Sequence, residues 1–339
     1  MKKTVDCEIK IKQHNYAVDL FRFVVILWIV LYHYTTRYFE LGLGEPISFP
    51  FSFDNGGKIG VSLFFIVSGF YMRSTLESMD NGIVCYVRFV LKRYYRLWLP
   101  YALACLMIFV WLSIFPIQGD EISWSVLLWN LVSLIYLGQG SVDGAHWFLT
   151  SLFVIQAFIG FVLLLRKKQL RLYACMLIFA LTIILGLFPN SLRTLHPAIV
   201  EYNTHLFEVL FGIMLSYLIK GRSAPVIVLV CLSIVVIAFN SIQYLIWVLV
   251  FMLLQTDTIR AISDKGAWLF GLMGEMSFFW YLVHQRIGYS IMSNMVGYHW
   301  VIVLGVSLFT TLVLAAVLRM LTNGIKNIIA TNILRKRRI

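Results

Sequence analysis

Three side chains in the first apolar run of this sequence could do chemistry together. Residues 16–36 read YAVDLFRFVVILWIVLYHYTT and carry Asp19, Arg22 and His33. An imidazole can exchange a proton near neutral pH or briefly carry a group in transfer. A guanidinium holds anions, and a carboxylate can pair with it. Arg22 and His33 are 11 positions apart, so at ~100° per residue they return to within about 20° of one helix face. Along the axis they are ~16 Å apart. Asp19, three residues before Arg22, shares nearly the same face. The run is about 21 residues, or roughly 31 Å, long enough to cross a bilayer. A stripe of ionisable groups in such a span has to face a protein interior or a wet cavity.

The rest of the chain must supply that interior. Of 339 residues, 60% are hydrophobic and 13% charged, whereas an ordinary soluble domain is about a quarter charged. Apolar runs recur along the whole length and are continuous rather than alternating, which excludes a β-barrel. The fold class is therefore an all-α integral membrane protein. We read spans at 16–36, 59–76, 97–116, 146–165, 171–188, 204–219, 224–239, 241–255, 267–285 and 299–319, about ten in all. The apolar segment 124–138 is short and reads as re-entrant or interfacial, because that places the basic stretch 166–171 inside. Residues 1–15 form a polar N-terminal segment with no signal-peptide cleavage pattern. Residues 320–339 form a basic tail, and 1–339 a single transmembrane domain.

The net charge of +12 does not point to nucleic acid, because its positions follow a membrane rule. Of 28 Lys and Arg, four (Arg37, Lys58, Arg193, Arg286) fall in outer loops and Arg22 in a helix. The others face inside, so both termini are expected to be cytoplasmic. The setting is a bacterial plasma (inner) membrane, crossed many times. The five cysteines show no metal spacing and are expected to be free thiols. No metal site is expected.

Sorted by depth, the polar residues form two groups. Asp19, Arg22, Arg73, Arg88, Lys92, Arg93 and Arg96 fall at the cytoplasmic side. His33, Asp143, His146, His196, His205, Glu208 and His284 fall in the outer half. A cationic inner mouth suits a soluble ligand with phosphates, and histidines beyond it suit proton transfer. Each residue also has a plainer reading. Arg22 is near enough to the interface to snorkel, the 88–96 cluster could anchor on anionic lipid, and Ser68-Gly69 suits helix packing. Glu208 needs a partner inside its helix, and His205 is three residues away. His146 and His284 are expected near helix ends, where a solvated histidine costs little. His14, His196 and His299 read as surface residues.

Several short motifs then occur in order. Arg22 and His33 form R-x10-H, and residues 64–70 read FFIVSGF. Residues 93–96 read RYYR ahead of Leu99-Pro100, 146–149 read HWFL, 208–212 read EVLFG, and 277–284 read SFFWYLVH. In this order and spacing the chain resembles the membrane-bound acyltransferase family 3, whose members O-acylate surface carbohydrates. The resemblance covers residue 16 to about 319. It departs from longer members in lacking a glutamate shortly after Trp147.

That resemblance implies an enzyme using acyl-CoA, most simply acetyl-CoA, as donor co-substrate and a glycan or lipid-linked sugar as acceptor. It implies that His33 and Arg22 are catalytic and that Arg93 and Arg96, with Arg88 and Lys92 in the same basic segment, hold CoA phosphates. His33 would be a general base or an acyl carrier, and Arg22 would orient the donor or stabilise developing charge. Asp19, His146, Glu208 and His284 are the substrate-side candidates, Asp19 as the partner of Arg22. Membrane lipid is the remaining partner. The competing class is a polytopic transporter or flippase, which also embeds ionisable residues; the sequence has no visible internal repeat of the kind many transporters carry.

Overall fold

A computed structural model describes residues 14–43, 51, 53–117, 119–134, 140–219 and 224–336. Among them the regular structure is entirely helical. Helix α1 (Tyr16–Tyr32) is capped by Asn15, whose side chain accepts from Val18 N–H, and has Asp19 in its first turn. Both features stabilise a helix N-terminus. A π-helical turn, His33–Arg37, follows and runs into the short α2 (Tyr38–Glu40). Together they form one 25-residue span, Tyr16–Glu40. Such a widening re-aims side chains without a proline and is frequent at functional sites.

Next come α3 (Gly56–Ser78), α4 (Ile83–Ile114) and α5 (Trp124–Val132). A 3₁₀ turn, Gly144–His146, opens α6 (Trp147–Gly160), which tightens into a second 3₁₀ turn at Phe161–Leu164. Then follow α7 (Lys168–Gly186), α8 (Pro189–Leu195), α9 (Pro197–Ile219), α10 (Ala224–Asn240), α11 (Ile242–Leu253) and α12 (Asp257–Asp264). Helices α13 (Ala267–Asn294) and α14 (Trp300–Lys336) complete the chain.

Seven helices among the described residues are long and apolar enough to cross a membrane, or eight if α11 and α12, bent by 74°, form one broken span. Two elements fall short of the expected ten. Helix α10 is short, its apolar core being Pro225–Ile237. Helix α13 has 28 residues but is too polar to qualify. Its solvent is protein rather than lipid, since almost every residue from Met276 to Met292 is buried. Helix α5 has nine residues, about 13 Å, and cannot span alone; residues 135–139 of that segment lie outside the described residues.

Three expected boundaries change. The basic segment at 88–96 is not a loop but the opening of the 32-residue α4. Nothing breaks helix between Gly82 and Pro100, and hydropathy marks only where lipid begins. Helix α13 runs past residue 285 to Asn294, which places His284 in mid-helix and not at a solvated end. The basic tail continues α14 as helix to Lys336. Cys85, Cys105, Cys175 and Cys231 are free; Cys7 lies outside the described residues.

Helix α1 packs between α3 and α13, α3 lies along α9, and α14 covers α13. Large apolar side chains such as Leu177 on α7 and Phe309 on α14 remain exposed, as lipid-facing surfaces do. Glycines set the closest crossings. An added Cβ at Gly69 would fall on the Val209 carbonyl oxygen, and one at Gly212 on the Ile66 carbonyl oxygen. Helices α3 and α9 therefore meet backbone to backbone, the small-residue packing of membrane helices.

Gly69→Val and Gly212→Val are expected to force α3 from α9 and cost about 3 kcal/mol or more. The check is loss of the monodisperse peak in detergent gel filtration. Gly305→Val, where an added Cβ meets nothing, serves as the control and should elute as wild type.

Candidate active site

At the Arg22 end of α1 the helices enclose a cavity of about 1210 Å³. Its cationic lining comes from five helices: Arg22 on α1, Arg73 on α3, Arg93 and Arg96 on α4, Arg260 on α12 and Lys326 on α14. These cations are not equally free. Arg73 is committed, with Nη2 2.6 Å from Glu77 Oε2 and Nη1 donating to Ser216 O at 3.1 Å. Arg22 Nη1 lies 3.6 Å from Asp19 Oδ1, and the other oxygen of Asp19 is in close contact with His14 Nε2. Arg93 makes a long bond of 3.5 Å to Thr75 Oγ1. Arg260 donates from Nη2 to Gln255 Oε1 at 3.2 Å, and its buried Nε has no partner among the described residues. Guanidinium groups so loosely paired suit phosphate oxygens.

The wall changes character along α13, whose lining residues run from Gly271 to Tyr281, roughly 15 Å of helix. Apolar Phe64, Val67, Phe148, Leu149 and Leu152 line the same cavity, with Ser68, Gln156 and Ser277 among them. Ser68 accepts from Gln156 Nε2 at 2.6 Å. Near the Arg22 end α1 touches α13 through Gly274, where any Cβ would overlap the Asp19 side chain. The mouth of the cavity thus depends on a glycine.

Tyr281 brings the cavity within one helical turn of His284. The ring of His284 lies 5.0 Å from that of His33, edge to face. His33 is half-buried, and its Nδ1 is 2.9 Å from the Tyr289 hydroxyl. His284 and His146 are fully buried. His284 Nδ1 is 2.8 Å from Tyr281 O, and His146 Nε2 is 2.9 Å from Leu282 O. The turn that carries His146 is fixed by Asp143. Its Oδ1 accepts from Ala145 N–H at 2.9 Å, and its Oδ2 from Arg286 N–H at 3.1 Å. Arg286 itself pairs closely with Asp120 and donates to Val142 O at 2.7 Å. Tyr34 closes the arrangement by donating to His284 O at 2.8 Å.

The sequence-derived candidates therefore divide. Arg22, Asp19, Arg93 and Arg96 line one cavity, whereas His33, His284 and His146 stand outside its lining, His284 with its ring 5.8 Å from that of the lining Tyr281. Arg88 and Lys92 are exposed and outside the lining. Glu208 belongs to a neighbouring cluster, paired with His205 at 2.9 Å, with Phe65 stacked on that imidazole.

Other residues had no signal in the sequence. Tyr289 is 256 positions from His33, Arg260 looked like one more inside charge, and Arg286 read as a loop residue. His14, taken as a surface histidine, touches Asp19. Among the described residues no three His, Cys, Asp or Glu side chains gather as metal ligands.

No curated protein and no solved structure matches the chain. A family model described as an acyltransferase domain matches residues 15–320, which contain every group described above except His14 and Lys326. The match spans most of a chain built from membrane-length helices, and the chain belongs to acyltransferase family 3.

Proposed function

We propose that this chain takes an acyl group, in the simplest case acetyl, from cytoplasmic acyl-CoA and transfers it to a hydroxyl of a cell-surface glycan or lipid-linked sugar. The observation that carries the reading is the cavity itself, with loosely paired arginines at one end and Tyr281 at the other, its ring beside that of His284, which in turn meets His33. The CoA phosphates sit among Arg22, Arg93, Arg96, Arg260 and Lys326, and the pantetheine runs along the apolar wall. Arg88 and Lys92 raise the local anion concentration at the entrance. Asp19 keeps Arg22 oriented.

His33 is the catalytic residue, as general base or as acyl carrier, and Arg22 orients the donor. His146, His284 and Glu208 belong to the acceptor side. The whole chain acts as one transmembrane domain in a bacterial plasma membrane. It crosses about ten times with both termini in the cytoplasm, α13 crossing inside a sleeve of other helices.

His33→Ala should abolish acylation of the surface glycan, read by mass spectrometry, while the protein still inserts and elutes as wild type. Unchanged acyl content in that variant would sink the assignment. Arg93→Gln with Arg96→Gln should raise KM for acyl-CoA by roughly 10- to 100-fold, since a hydrogen bond to a charged group contributes about 1.5–3 kcal/mol. Acceptor affinity should be unaffected. The broken pair α11 and α12 is a feature that a transporter would also use. Sugar flux into proteoliposomes without CoA release would favour that reading instead.

A further inference from the structure

The two fully buried histidines are locked in one tautomer by the main chain. A carbonyl oxygen only accepts, so in the neutral ring the Nδ1 of His284 that faces Tyr281 O carries the proton, leaving Nε2 with a bare lone pair. His146 is held in the mirror sense. Its Nε2 donates to Leu282 O, and Nδ1 is bare. Both bare nitrogens are buried and have no hydrogen-bond partner among the described residues, and neither has the side-chain oxygen of the neighbouring Gln285. Three acceptors without a donor are costly to bury. What satisfies an acceptor is a hydroxyl. His33 differs, because its partner is the Tyr289 hydroxyl, which can donate or accept and so fixes no tautomer.

We propose that His284 Nε2 is the base that takes the proton of the acceptor hydroxyl. This rests on the acyl-transfer reading above and goes beyond it by assigning the proton. The hydroxyl oxygen bonds to the acyl carbon as its O–H bond breaks, and the proton passes to Nε2. The thioester C–S bond breaks with its electron pair on sulfur. The imidazolium then returns the proton to that thiolate, so CoA leaves as the thiol and His284 is neutral again. In this direct displacement His33, in ring contact with His284, carries no acyl group and is left to hydrogen-bond the carbonyl oxygen of the thioester. His146 and Gln285 offer further acceptors for a polyhydroxylated substrate.

His284→Asn tests this, because the amide can still donate toward Tyr281 O but lacks the distal nitrogen. His284→Gln provides a second variant of similar bulk. Positioned general-base catalysis is worth about 10²–10⁴-fold, so glycan O-acyl content in cells should fall at least about 100-fold. In purified protein, KM for acetyl-CoA should be unchanged, and CoA release with hydroxylamine, a neutral nucleophile that needs no base and whose own proton can pass to the thiolate, should fall by at least about tenfold less than transfer to the glycan. Retained glycan acylation in either variant overturns the proposal. So does equal loss of both reactions in both variants, which marks a structural role. Wild-type protein that releases no CoA with hydroxylamine overturns the acyl-CoA reading and the base assignment with it, whereas a fully active wild type whose variants keep glycan acylation overturns the base assignment alone.

Discussion

Polar groups at membrane depth have to be enclosed by protein, and the architecture of this chain follows from that requirement. Helix α13 carries His284, Gln285, Tyr289 and Ser290 along a stretch that is almost wholly buried. Lipid could not surround that stretch without leaving donors and acceptors unpaired. Helices α1 and α14 therefore cover it on two sides, and Trp280 and Tyr34 both donate to Thr311 of α14. The apolar residues that make the chain look like a membrane protein are concentrated on the helices outside this layer.

Close approach of the helices rests on glycine at several crossings. Gly274 admits Asp19, Gly288 admits the Tyr34 ring, and Gly69 and Gly212 bring α3 and α9 into backbone contact. Where charges are carried inward they are satisfied by geometry as well as by counter-charge. Arg286 spends its guanidinium on Asp120 and a main-chain carbonyl, and its own N–H on Asp143. Asp143 in turn holds the turn beneath His146. Losing one partner of such a set leaves an uncompensated buried charge, which costs about 3–5 kcal/mol.

The same enclosure gives main-chain carbonyls chemical influence. Tyr281 O and Leu282 O, on one turn of α13, select which nitrogen of two imidazoles is bare. In water either nitrogen could exchange freely. At the other end, loosely paired arginines face an open cavity and keep their capacity for an anionic ligand. The cavity is cationic and accessible, and the imidazoles of His146 and His284 beyond it are buried.

Much of this was legible in the residues themselves. Long apolar runs interrupted by basic segments determine an all-helical membrane protein, because helical hydrogen bonding is local and hydrocarbon leaves the backbone no other open arrangement. The 11-residue spacing of Arg22 and His33 follows from helical periodicity alone, and the ordered motifs already named the family. Hydropathy, however, reports contact with lipid and says nothing of contact with protein. It therefore ended α13 at residue 285, turned the start of α4 into a loop, and ranked α13 as a span like any other. The partners that give the site its chemistry are far apart in sequence: His33 with Tyr289, His146 with Leu282, Arg286 with Asp120, and Arg260 across from Arg93 and Arg96. Only tertiary packing brings them together, because each contact depends on how whole helices cross, and no local pattern in the chain encodes that crossing.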